Sequence, residues 1–131
     1  MIIEGMNGNS RYPIAVDGTG KLLTGRESGY VAGASITNST ADTAMKAAAG
    51  TALRNYVTSI VISNTNTSFA QVQLKDGSTP LGRPILVPAT SSLVLDFATS
   101  IRGTANTAFN IAAVALYAAA IDITVIGYTG A

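Results

Sequence analysis

The chain is expected to fold as an all-β domain, a β-sandwich or small barrel, on two observations. Residues 53–128 alternate apolar and polar side chains almost throughout, and turn signals interrupt that alternation at short, even intervals. A period of two marks strands with one buried face, and many short strands with even turns mean a closed or two-layered β architecture. The clearest piece is the stretch from Phe69 to Lys75, where Ala70, Val72 and Leu74 alternate with Gln71, Gln73 and Lys75.

From the N-terminus, residues 1–35 are rich in glycine (Gly5, Gly8, Gly18, Gly20, Gly25, Gly29 and Gly33) and show little periodicity. Ordering so many glycines costs backbone entropy, so this region cannot carry a compact core of its own. Yet Tyr12, Pro13, Ile14, Val16, Leu22, Leu23 and Tyr30 make it too apolar for a solvated tail. An extended N-terminal arm over residues 1–35 is therefore expected, laid on a neighbouring subunit or a larger surface, with a β-sandwich domain over 36–131. Within the arm, Ile14 to Val16 and Leu22–Leu23 could flank a turn over Asp17 to Gly20 as a small hairpin.

Residues 42–50 admit two readings. Asp42 as N-cap and Gly50 beyond the last turn would suit a short helix. A strand ending at Gly50 fits the rest of the chain better, because a two-turn helix is marginal alone. Residues 56–63 are β-branched and read as a strand, followed by the loop 64–68 and the strand at 69–75. Asp76–Gly77 is a strong hairpin turn. Pro80, Pro84 and Pro88 bracket Ile85, Leu86 and Val87 and restrict them to a short edge strand, since proline cannot donate to a ladder. Residues 91–97 put Leu93, Leu95 and Phe97 on one face, and residues 102–107 form a polar loop. The last two strands, within 108–117 and 121–128, read as a β-hairpin joined through residues 118–120. The expected core is Leu53, Ile60, Ile62, Val72, Leu74, Leu93, Leu95, Phe97, Ile111, Ile123 and Val125.

Composition narrows the function. Only 11% of residues are charged although 47% are hydrophobic, so the polar surface is mostly Ser, Thr, Asn and Gln. An ordinary domain has about 25% charged residues. A surface of this kind is cheap to desolvate and suits burial in an assembly. The net charge is +1, with basic residues scattered singly, so nucleic-acid binding is not expected. The longest apolar run, 111–121, is too short to span a bilayer. The N-terminus lacks a basic and then apolar leader pattern, which points to synthesis in a cytoplasm.

Chemistry-bearing patterns are sparse. The chain has no histidine and no cysteine, so it offers no imidazole base, thiolate nucleophile or cysteine-based zinc site. The acidic residues never pair closely in sequence, and Asp17 and Asp76 are explained by their turns. Gly18-Thr-Gly20-Lys21 lacks the spacing of a phosphate loop and has Leu22 where Ser or Thr would meet magnesium. No enzyme activity, cofactor or metal is expected. With no tryptophan, the flat aromatics available to a sugar are Tyr30, Tyr56 and Tyr128, which read better as core or interface residues.

Residues 47–65, AAAGTALRNYVTSIVISNT, resemble a segment of small structural proteins of tailed bacteriophages. The later blocks come in a similar order too: Val72-Gln-Leu-Lys-Asp-Gly77, then the block from Arg102 to Ala108, then Gly127–Tyr128. The resemblance spans residues 44–129. It implies a jelly-roll-like antiparallel β-sandwich in a virion, made in the bacterial host cytoplasm. It also implies a capsid decoration, or cement, protein that binds the major capsid protein, commonly as a homotrimer. Related sandwiches occur in tail and fibre proteins, so a receptor- or glycan-binding module is the alternative. The family has no catalytic residues to transfer. Arg11, Tyr12, Arg26 and Tyr30 are the expected capsid or oligomer contacts of the arm, since Arg and Tyr are favoured at interfaces.

Overall fold

A computed structural model describes residues 28–131. Its strands are β1 (Ser28–Ile36), β2 (Thr43–Lys46), β3 (Arg54–Asn64), β4 (Ala70–Asp76), β5 (Thr79–Val87), β6 (Ser91–Arg102), β7 (Phe109–Ala113) and β8 (Ile121–Gly130). They make two four-stranded sheets, ordered β1-β8-β3-β6 and β2-β7-β4-β5, and every pairing is antiparallel. Among the described strands only β4 and β5 are neighbours both in sequence and in one sheet; every other connection between them passes from one sheet to the other. Eight strands wound in this way form a jelly roll, a sandwich of two Greek keys.

The core lies between the sheets. Ile60 and Ile62 of β3 and Ile121, Ile123 and Val125 of β8 face Val72 and Leu74 of β4, Val87 of β5, and Phe109 and Ile111 of β7. Met45 and Ile36 close its β2 side. Each such side chain stabilises the fold by about 1.5–3 kcal/mol on full burial. Leu93, Leu95 and Phe97 pack against this core but stay partly exposed, because β6 is an edge strand. Leu53 stands in the β2–β3 connection, half-buried and outside the core.

Three expectations change on contact with the ladders. The last two strands exist, yet they are not a hairpin: β7 lies in the second sheet and β8 in the first. Phe109 and Ile111 of β7 and Ile121, Ile123 and Val125 of β8 enter the core from opposite sheets, and residues 114–120 cross the sandwich between them. The arm boundary also moves. Ser28–Ile36 is a strand paired with β8 along its whole length, so the sandwich takes in residues that composition assigns to the arm. The glycine that argued against order serves order here: a Cβ on Gly33 would sit 2.0 Å from the Ile123 carbonyl oxygen. Third, the proline-bracketed strand runs from Thr79 to Val87 rather than being confined to residues 85–87. It is an edge strand, as the prolines require, and its register slips between Val72 and Leu74, opposite Gly82 at φ 68°.

Residues 43–46 are strand, not helix. The hairpin after β4 turns through Gly77 and Ser78, with Asp76 opposite Thr79 and Gly77 at φ 61°. The small hairpin expected within the arm lies outside the described residues.

Candidate functional site

Strand geometry sends alternate side chains to opposite faces, so the ladders fix what the first sheet presents outward. Its cross-strand rows are Tyr128–Tyr56–Arg102, Val31–Ile126–Ser59–Asp96, Thr124–Val61–Val94 and Ser35–Asp122–Ser63–Ser92. Val31, Val94 and Ile126 are exposed at 73%, 59% and 38%. The two carboxylates of this face are each held by a hydroxyl on the neighbouring strand. Ser59 Oγ donates to Asp96 at 2.7 Å, and Ser35 Oγ donates to Asp122. Ser63 and Ser92 share a bond of 2.8 Å. Between these hydroxyl bridges the ground is β-branched and apolar.

One end of the face carries the tyrosines. Tyr56 and Tyr128 stack with ring centroids 4.7 Å apart and planes within 6°. Tyr56 Oη donates to the Ala131 carbonyl at 2.7 Å, and Tyr128 Oη lies 3.2 Å from Ser100 Oγ. Tyr30 stands on the inner side of the same sheet, in register with Gly127. Its hydroxyl donates to the Tyr56 carbonyl at 3.2 Å, and Lys46 Nζ lies 5.1 Å from its ring centroid. Burial pushes the Tyr30 hydroxyl up to about 12. Gly127 makes this possible, because a Cβ there would fall 1.9 Å from the Tyr56 carbonyl oxygen and 2.8 Å from Tyr30 Oη.

The opposite end gathers four connections around two buried asparagines. Asn64 Nδ2 donates to the carbonyls of Ser68, Val87 and Pro88, and its Oδ1 accepts from the Asn66 amide and Nδ2. Asn66 Nδ2 donates to Ala119 O, and Asn66 Oδ1 accepts from Ala119 N. Asn38 N donates to Tyr117 O, and Thr90 N to Asn66 O. The β1–β2, β3–β4, β5–β6 and β7–β8 connections are thus one hydrogen-bonded platform. Phe69, Leu86, Val114 and Leu116 are exposed close to it, while the Tyr117 hydroxyl is engaged by Gln71 N.

The block from Arg102 to Ala108 latches the tyrosine end. Gly103 N donates to Asn55 O, Asn106 N to Leu53 O, and Arg54 Nη1 to Gly103 O. Thr104 gives Asp76 both its backbone amide, at 3.1 Å, and its hydroxyl, at 2.5 Å. Asn55, itself buried, donates to the Ala47 and Thr107 carbonyls. The loop therefore fastens β3 to the β4–β5 turn.

Of the anticipated contact residues, Arg11, Tyr12 and Arg26 lie outside the described residues, and Tyr30 belongs to the wall of the sandwich. Sequence reasoning passed over Asn64 and Asn66, although an Asn-x-Asn pair directly after a β-branched run is a recognisable side-chain-to-backbone turn. It also passed over Val31 and Val94, whose alternation is that of any strand until its free face is known. No family model and no curated protein matches the chain.

Among the described residues, no three acidic side chains converge as a metal site would require. Asp42 pairs with Lys75 at 2.7 Å, and Asp76, Asp96 and Asp122 serve the hydrogen bonds above.

Proposed function

We propose that the protein is a structural component of a tailed-phage virion, a decoration or cement protein that binds the outer shell of the head and stabilises it. The observation that carries this reading is the outer face of the first sheet. It exposes Val31, Val94 and Ile126 on a ground of hydroxyls and already-bonded carboxylates. Such a face can be covered at small desolvation cost. The resemblance of residues 44–129 to small phage structural proteins supports it from the sequence side. The mechanism is mass action: a ligand of the assembled shell raises the apparent stability of that shell. The major capsid protein is the partner, and the family resemblance implies a homotrimer.

A receptor- or glycan-binding module at a tail or fibre tip would need an exposed aromatic cluster on its loops. Among the described residues the connections at the asparagine platform expose Phe69, while Tyr56 and Tyr128 stack at the far end of the sheet.

Copy number per virion, measured by mass spectrometry against the major capsid protein, tests the reading. Hundreds of copies in a simple ratio to the capsid subunit are expected. A handful of copies would place the protein at the tail or a vertex and overturn the decoration role.

A further inference from the structure

A sheet edge is a template for another strand unless something blunts it. Two of the four edges here are blunted. β5 contains Pro80 and Pro84 and is broken at Gly82. β2 is four residues long and bulged between Ala44 and Lys46. β1 is regular, but near its middle stands Gly33, which offers no side chain to a cross-strand pair. β6 differs. From Ser91 to Asp96 it pairs with β3 without a slip and holds no proline, glycine or basic residue. The irregularity comes only afterwards, where residues 97–100 stand opposite the single residue Thr58. Among the described residues no strand lies beyond β6.

We propose that β6 pairs antiparallel with β6 of a second copy, about a two-fold axis at Val94, joining two first sheets into one continuous sheet. The register follows from the side chains. With Val94 on the axis, Val94 meets Val94 on the outer face, Leu93 meets Leu95 on the inner face, and Ser92 meets Asp96. Centring on Leu93 sets Val94 against Ser92 and Leu95 against Ser91. Centring on Leu95 sets Asp96 against Val94. Half-residue centres would oppose inner and outer side chains. Over Ser92–Asp96 the Val94 register matches apolar with apolar and gives Asp96 a hydroxyl partner, with no like charges opposed; its one mismatch is Ser91 opposite Phe97.

The same pairing accounts for two features of the monomer. Val94 is 59% exposed, and Leu93 and Leu95 remain partly exposed although they face the core. A second β6 would cover all three. The contact is isologous and closes at two copies, so it competes with the three-fold arrangement that the family resemblance implies.

The chain has no cysteine, so single-cysteine variants of the full chain report this geometry cleanly. Residues opposed across an antiparallel pair lie about 4.5–5.5 Å apart at Cα, within disulfide range. Oxidised Val94→Cys should run as a covalent dimer on a non-reducing gel. Val31→Cys, still more exposed on the same face but at the other edge, should remain monomeric. Light scattering over a dilution series should find a wild-type dimer whose dissociation constant rises at least tenfold in Val94→Lys. That variant brings two ammonium groups together on the axis. A wild-type monomer at every concentration would overturn the proposal. So would a trimer indifferent to Val94→Lys, or Val31→Cys cross-linking as readily as Val94→Cys. None of these outcomes bears on copy number per virion, so the pairing and the decoration role fail separately.

Discussion

Single side chains hold the two ends of the sandwich, and the glycine at 127 is the least replaceable of them. A methyl group there would overlap the Tyr56 carbonyl and the Tyr30 ring, both fixed by their own bonds. Gly127→Ala should cost more than about 3 kcal/mol, beyond ordinary overpacking, because backbone must move; chemical denaturation would measure it. At the other end, Asn64→Ala removes a buried side chain whose two N–H groups serve three carbonyls and whose oxygen accepts twice. It leaves carbonyls of two connections unpaired, so a loss of about 2–4 kcal/mol is expected. Tyr30 adds a pH dependence. Its native hydroxyl titrates near 12 rather than 10, so above pH 10 the unfolded chain releases a proton that the native chain keeps. Stability is unaffected below pH 10 and falls as pH rises from 10 to 12. Tyr30→Phe should flatten that fall in melts recorded between pH 9 and 12.

At the scale of elements, alternation is both the best and the most limited guide. It found β4 almost to the residue, because Ala70, Val72 and Leu74 bury one face of a regular strand. It could not find partners. A period of two reports that one face is covered and is silent about what covers it, so β7 and β8 looked like a hairpin although they confront each other across the core. Nor could it register the bulge at Thr58. The buried residues fall at odd positions, Asn55 and Val57, before the bulge and at even positions, Ile60, Ile62 and Asn64, after it, and the parity switch is invisible without β8 alongside. The outer face was unreadable for the same reason, since Val31 and Val94 stand out only once their side is known to be solvent. The 102–108 loop was legible as a polar connector, and its function as a latch depends on Asp76, distant in sequence. Asp76→Ala should detach it, at about 1–3 kcal/mol for the lost charge-assisted bonds. Amide exchange should quicken at Gly103, Thr104 and Asn106 while Asn66 stays protected.

The whole molecule closes on itself through its first and last strands. β1 is held in the first sheet by β8, and β8 lies between β1 and β3. Pairing of residues so far apart in the chain must wait until most of the sandwich has assembled, which makes a jelly roll slow to fold and strongly cooperative. It also sets the minimum folding unit. The buried core draws on Ile36, with Tyr30 and Ala34 packed against it, and β8 loses every β1 partner if those residues go. A chain beginning at Ser28 keeps all eight strands and should unfold in one sharp transition with a β-type circular dichroism spectrum. A chain beginning at Asn38 should not. It exposes the long hydrogen-bonding edge of β8 beside Ile121, Ile123 and Val125, an arrangement that invites aggregation rather than a stable seven-stranded sandwich. If the shorter chain melted as sharply as the longer one, β1 would be an accessory to the fold, and the arm would extend to residue 35 after all.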